Sequence, residues 1–299
     1  MDLATPKWIA ESKNESLKIV RVPAVMNKSW EQWFLLSSDR HWDNPKSNRK
    51  LQEKHLNQAV ERGAGVIDVG DFFCAMQGKG DHRGHKGDVR PEHATNTYLD
   101  SLIGTCSEWI RPWSKIWILL SHGNHETKVL SLKETDLTKR LCDNMALEYG
   151  SPVSAGGYSG WVVFQFSDTS SKTGTQRIRK TINLHWFHGS GGGGASTRGV
   201  QYINQHATIW PDADILVSGH IHHQWCVPIQ RSRLTAKGIV KQDTQWHVCT
   251  PTYKDEFADG QGGWAVERGM GPRPLGAWWI RFWYDRDAND IRFTILPAD

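Results

Sequence analysis

Ile116-Trp117-Ile118-Leu119-Leu120, followed at once by Ser121-His122-Gly123-Asn124-His125, is the stretch on which the reading of this chain turns. Five large apolar residues in a row fit a strand buried on both faces, and the abrupt change to small and polar residues marks its end. The polar tail carries an amide and imidazoles, side chains able to do chemistry. The same pattern recurs four times. Trp33-Phe34-Leu35-Leu36-Ser37-Ser38 stops at Asp39, and Val66-Ile67-Asp68-Val69-Gly70 stops at Asp71. Ile182-Asn183-Leu184-His185-Trp186-Phe187 runs into His188, and Ile215-Leu216-Val217-Ser218-Gly219 into His220.

Working outward, the segments between the early strands carry helical periodicity. Leu56, Ala59 and Val60 give an apolar face to residues 47–62; Tyr98, Leu99, Leu102, Ile103, Cys106 and Ile110 do the same further on. Leu137, Leu141, Met145 and Leu147 form a third such face, which stops near Gly150 with Pro152 beyond. Strand–helix–strand alternation predicts parallel pairing in an α/β fold. The strand-like runs Trp161–Phe166, Gln245–Cys249, Ala277–Tyr284 and Ile291–Leu296, with a hairpin turn over Asp285–Asp290, predict a second, more antiparallel sheet. Residues 78–93 and 252–276 read as long loops.

Bulk properties exclude several classes. No apolar stretch approaches the roughly 20 residues of a membrane helix, and residues 1–7 lack the pattern of a secretory signal. A cytoplasmic protein without a membrane partner is expected. The five cysteines are scattered, odd in number and without a CxxC pair, which argues against a disulfide framework or a zinc ribbon. A net charge of +4 permits a nucleic-acid partner without arguing for one. Fourteen histidines say more, because imidazole is the commonest metal ligand.

Ligands of open α/β sheets gather beyond the carboxyl ends of the strands. Here those ends carry Asp39, His41, Asp71, Asn124, His125, His188, His220 and His222. Hard oxygens and imidazoles suit manganese, iron, zinc or similar divalent ions. On an extended chain, Asp39 and His41 would face one way and Arg40 the other; His220, His222 and Ile221 repeat the arrangement. On the fourth strand His188 is preferred as the ligand, since Gly189 lets backbone approach closely, with His185 as the fallback.

Together DxH at Asp39–His41, GD at Gly70–Asp71, GNHE at Gly123–Glu126, HG at His188–Gly189 and GHxH at Gly219–His222 resemble, in order and spread, the calcineurin-like metallophosphoesterases. The resemblance covers residues 33–225. It implies a four-layer α/β/β/α sandwich of two mixed β-sheets flanked by helices, with a dinuclear metal site at the carboxyl ends of the strands. It implies one domain over residues 1–299, with strands within 245–296 completing the second sheet. Asp39, His41 and His222 would hold one divalent ion, and Asn124, His188 and His220 the other, with Asp71 bridging. Manganese is the first expectation; iron, zinc, nickel and magnesium are alternatives. A metal-bridging hydroxide would attack phosphorus in line. His125 would serve the leaving oxygen as the catalytic acid, and Glu126 would be structural.

One departure bears on the substrate. Many relatives carry GDxxD, whose second acid orients the GNHE histidine; Cys74 stands there instead, leaving Asp43 or Asp68 to take that task. The departure weakens a protein phosphatase reading and favours a phosphodiesterase or DNA nuclease similar to the SbcD type. The alternatives are a phosphomonoesterase acting on nucleotides or other small molecules, and a non-catalytic scaffold. Arg83, Arg90 and Arg198 are candidates for substrate contacts, and Trp42, Trp186 and Trp225 are either base-stacking or core residues.

Overall fold

A computed structural model describes residues 6–78, 80, 86–169, 178–192, 194, 196–235, 238–257 and 269–298. In chain order its strands are β1 (Ile9–Asn14), β2 (Leu17–Ala24), β3 (Glu31–Ser37), β4 (Gly65–Asp68), β5 (Trp117–Ser121), β6 (Ser154–Gly156), β7 (Ser159–Asp168), β8 (Ile178–Phe187), β9 (Ile215–Ser218), β10 (Trp225–Leu234), β11 (Val240–Cys249), β12 (Ala277–Asp285) and β13 (Asp290–Ala298). The helices are α1 (Arg49–Glu61), α2 (Tyr98–Ile110), α3 (Asn124–Lys133), α4 (Leu137–Tyr149) and α5 (Ile203–Ile209).

These strands form two mixed sheets. One runs β13-β12-β3-β4-β5-β6, the other β1-β2-β7-β8-β9-β11-β10. From β3 to β6 every pairing is parallel, as the alternation with helices predicts, whereas β12 joins β3 antiparallel. Strands β8, β9 and β11 are also mutually parallel. The architecture is therefore α/β, with two mixed sheets and flanking helices.

Side-chain alternation explains the layering. Phe34 and Leu36 of β3 join Val162, Phe164, Leu184, Trp186, Ile215 and Val217 in the core between the sheets. Leu35 points the other way, into the core that the six-stranded sheet shares with Leu56, Leu102, Ile103, Leu141 and Met145 of α1, α2 and α4. Residue chemistry sets the helix ends. Asn48 accepts from Leu51 N at 3.0 Å to open α1, and Asp136 from Lys139 N at 2.8 Å to open α4. Gly150 closes α4 in the left-handed region, at φ 59°.

One expectation is corrected, and one helix was not foreseen. Strands within 245–296 do not all complete the second sheet: β11 joins the seven-stranded sheet, while the β12–β13 hairpin extends the six-stranded one beside β3. The reason is apolar matching, since Ile280 and Phe282 turn into the same inter-sheet core as Phe34. Helix α3, at whose start GNHE lies, has too few buried apolar positions (Val129, beside Glu126) for periodicity to reveal it. The hairpin turn at Asp285–Asp290 is present, with those two residues paired.

Candidate metal centre

Five strand tails converge at one end of the sandwich. The tails of β3 and β4 stay zipped past the strands themselves: Asp39 N donates to Gly70 O (2.8 Å), His41 N to Asp71 O (3.1 Å) and Trp42 N to Phe72 O (2.8 Å). The chain here is not extended. Asp39 (φ 50°), His41 (43°), Asp71 (53°), His220 (70°) and His222 (55°) all adopt the left-handed region. Asp and His tolerate that region better than most residues, yet each instance costs on the order of 1–3 kcal/mol and persists only where surrounding structure enforces it. Simple alternation therefore does not aim these side chains; a sharply turned backbone does. Arg40 does point away, as expected, into a wholly buried ion pair with Asp68 (Nε–Oδ2 2.7 Å).

The donor atoms form two adjoining groups. In the first, His222 Nε2 lies 3.1 Å from Asp39 Oδ1 and 3.3 Å from His41 Nε2, and His41 Nε2 is 4.0 Å from Asp39 Oδ1. In the second, Asn124 Oδ1 is 2.7 Å from His220 Nδ1 and 3.2 Å from His188 Nε2, which is 3.3 Å from Asp71 Oδ2. A third trio, His41, Cys74 and His125, also has ligand atoms within 4.8 Å of one another. Such clusters of buried carboxylate and imidazole groups are compatible with a metal site.

The surroundings favour a cation. Val69 O accepts from His188 Nδ1 at 2.9 Å, which leaves the Nε2 lone pair directed at Asp71 and Asn124. Two imidazole nitrogens facing each other at 3.3 Å, as in His41 and His222, gain from a shared positive partner. Burial opposes charge on His188, but the Asp71 carboxylate overrides it and pushes the imidazole up to about 10. Burial, aided by His125, holds the His41 imidazole well below its usual range. Protons thus occupy in part the place that a divalent ion would take.

Glycines permit the crowding. A Cβ on Gly123 would lie 2.1 Å from Asp71 Oδ1, and one on Gly219 would lie 2.6 Å from Asp39 Oδ2. Backbone amides then hold the carboxylates: His125 N donates to Asp71 Oδ1 and His220 N to Asp39 Oδ2, each at 2.9 Å. Glu126 is structural in position, accepting from Gly123 N (2.9 Å), Phe73 N (2.8 Å) and Asp71 N (3.2 Å). Burial, with the Asp71 charge adding to it, pushes its carboxyl up to about 8.

His125 is partly exposed, its Nε2 3.8 Å from Asp71 Oδ2. Neither Asp43 nor Asp68 orients it directly. Its Nδ1 lies 2.6 Å from Cys74 O, while Asp43 holds that loop by accepting from Cys74 N (2.5 Å) and Ala75 N (2.9 Å). Asp68 is engaged by Arg40 and Ser37. The backbone carbonyl thus replaces a carboxylate, something no residue type in the sequence could announce.

Other candidates separate. His185 is not in the cluster; it stacks on Trp210 at 4.1 Å and contacts Ser159. Trp42 and Trp186 are core residues, while Trp225 is half-buried and donates to Arg198 O at 3.0 Å. The Arg90 guanidinium is engaged by Asn44 O and Ser47 O, each at 3.1 Å, which gives it a structural task. Arg198 is exposed, and Arg83 lies outside the described residues. Arg273 was not anticipated: its Nη1 lies 3.1 Å from His223 Nδ1, next to His222 in the chain. It sits in a segment read only as a long loop.

No protein-family model matches the chain, and no curated protein does. Among solved structures, vacuolar protein sorting 29 from Cryptosporidium parvum matches over 90% of this chain and 100% of its own, at 11% identity and a TM-score of 0.39. A conserved uncharacterized protein from Streptococcus pneumoniae TIGR4, described as a predicted phosphoesterase, matches over 90% of this chain and 99% of its own, at 10% identity and a TM-score of 0.32. Both similarities are distant, and the functional reading rests on the geometry of the site.

Proposed function

We propose that this chain is a calcineurin-like metallophosphoesterase, a dinuclear metal-dependent hydrolase of phosphate esters, with phosphodiesters preferred. The observation that carries the reading is the convergence of seven side chains from five strand ends into two adjoining donor groups. Asp39, His41 and His222 would hold one divalent cation, and Asn124, His188 and His220 the other, with Asp71 shared. Manganese suits this oxygen and imidazole set. Bound there, two divalent cations supply Lewis acidity and activate a water for attack on phosphorus.

The protein's own groups do the rest. The backbone amides of His125 and His220 fix the two carboxylates before substrate arrives, so little reorganisation remains for the reaction itself. His125, partly exposed and held through Nδ1 by the Cys74 carbonyl, presents Nε2 to the leaving oxygen and gives it a proton. Arg198, Arg273 and His223 lie on the His222 side and would attract the substrate's anionic flank. Cys74 in place of the second acid of GDxxD supports the preference for diesters over phosphoprotein substrates. Five free thiols suit a reducing, cytoplasmic setting.

The test is a paired assay of the manganese-loaded protein on a generic phosphodiester and a generic monoester, followed by single- and double-stranded DNA. Diester turnover above monoester turnover is expected. Turnover of monoesters alone would overturn the diester preference, and no turnover of either, with fewer than two metals bound per chain, would favour a scaffold.

A further inference from the structure

The proposed catalytic set leaves one reactive side chain unused. Cys74 is fully buried, yet its sulfur sits in a trio with His41 and His125 whose ligand atoms all lie within 4.8 Å of one another. Cys74 belongs to neither of the two donor groups assigned above. We infer that His41, Cys74 and His125 form a third cation site, selective for a thiophilic divalent ion such as zinc, and that filling it silences the centre by engaging His125. The binding half stands on the trio alone; the silencing half rests on the phosphoesterase reading.

Several independent features suit a soft cation. Asn44 Nδ2 donates to Cys74 Sγ at 3.4 Å, a contact that favours the thiolate over the thiol. His125 Nδ1 is directed at the Cys74 carbonyl at 2.6 Å, so the lone pair is left on Nε2, the atom nearer Asp71. His41 has Nε2 against His222, and its Nδ1 is buried without a hydrogen-bond partner among the described residues. The loop carrying Cys74 is pinned by two backbone N–H hydrogen bonds that the Asp43 carboxylate accepts, and Ala75 is held at φ 47°.

Size and softness then decide selectivity. Zinc bonds of about 2.3 Å to sulfur and about 2.0–2.1 Å to nitrogen place tetrahedral ligands roughly 3.3–3.6 Å apart. From separations within 4.8 Å the trio closes by up to about 1.5 Å, a movement that rotation of His125 in the first turn of α3 supplies. Thiolate favours zinc over manganese, whereas the mixed oxygen and imidazole groups beside it take either. On binding, the Cys74 proton and the remaining ring proton of His41, which then bridges as an imidazolate through Nε2 and Nδ1, leave to solvent, and the Nε2 lone pair of His125 is committed to the ion. His125 then has no proton to give a leaving group.

The test uses the full chain loaded with manganese and titrated with one equivalent of zinc, read by X-ray absorption at the zinc edge. One sulfur neighbour at about 2.3 Å, with nitrogen neighbours, is expected in the unaltered protein. Cys74→Ser should remove that sulfur and raise the zinc concentration needed for half-inhibition of turnover by roughly tenfold or more. A zinc shell without sulfur overturns the site, as does a sulfur neighbour that persists in Cys74→Ser. Equal zinc sensitivity of both proteins overturns the silencing. If Cys74→Ser does not fold, the zinc shell of the unaltered chain still decides. A sulfur shell in a chain that turns over no phosphate ester would support the site while overturning the phosphoesterase reading.

Discussion

Arg40 lies between two residues assigned to the metal centre, and its removal is the sharpest test of how the site is supported. Its Nε meets Asp68 Oδ2 at 2.7 Å with both side chains fully buried, Nη2 donates to Ser37 Oγ at 2.9 Å, and Ser37 Oγ donates to Asp68 Oδ2 at 2.7 Å. The guanidinium also lies over Trp117 and Tyr253, at 5.0 and 4.9 Å. Arg40→Met keeps most of the volume but leaves the Asp68 carboxylate buried without its cation. Breaking one half of such a pair costs about 3–5 kcal/mol, whereas replacing both halves by apolar groups is often near neutral. Arg40→Met should therefore lose about 3–5 kcal/mol at pH 7, and Arg40→Met with Asp68→Leu should recover most of it. Burial already raises the Asp68 carboxyl despite Arg40, and losing Arg40 raises it further. A carboxyl raised in the folded state binds more protons there than in the unfolded chain. Its contribution is fully present below the unfolded value and is lost as pH rises through the folded one. The deficit of Arg40→Met relative to the parent should accordingly shrink as pH falls. Urea denaturation of both proteins and the double variant at several pH values, with chelator present to remove metal linkage, measures this. A deficit below about 1 kcal/mol at pH 7, or no recovery in the double variant, would refute the reasoning.

Four further outcomes are expected. His125→Ala should keep both metals by elemental analysis while kcat falls by about 10²–10⁴, the usual worth of a general acid; loss of metal would move His125 into the ligand set. Asp71→Asn should abolish most of the metal-dependent rise in Tm, which for the parent corresponds to about 2.7 kcal/mol at a hundredfold excess over Kd. Gly123→Ala sets a Cβ 2.1 Å from Asp71 Oδ1 and should weaken metal binding along with a stability loss of about 1–3 kcal/mol, read by calorimetry. In the metal-free protein His188 is raised to about 10, so the stability it contributes is full below its unfolded value near 6.5 and is lost as pH rises through about 10. Manganese must displace that proton. Its affinity should climb with pH across the same window, with proton release seen by titration calorimetry in two buffers; a flat profile would contradict the Asp71–His188 pairing.

Some of this was present in the order of residues, and some was not. Apolar runs ending in Asp39, Asp71, Asn124, His188 and His220 located the strand ends, because a buried strand must be apolar and a ligand at its end must be polar. Helices with a clear apolar stripe, such as α2, were legible for the same reason. Four things belonged to the tertiary structure. The β12–β13 hairpin chose the six-stranded sheet because Ile280 and Phe282 match Phe34 across the core, a long-range fit with no local mark. His188 was separated from His185 by the position of its ring against Val69 O, not by residue type. The left-handed turns at Asp39 and His41 arose from the zipped tails of β3 and β4, which only pairing creates. His125 found its partner in a carbonyl, and every residue has one. Side-chain chemistry is written in sequence; backbone groups become specific only when the fold brings them to a place.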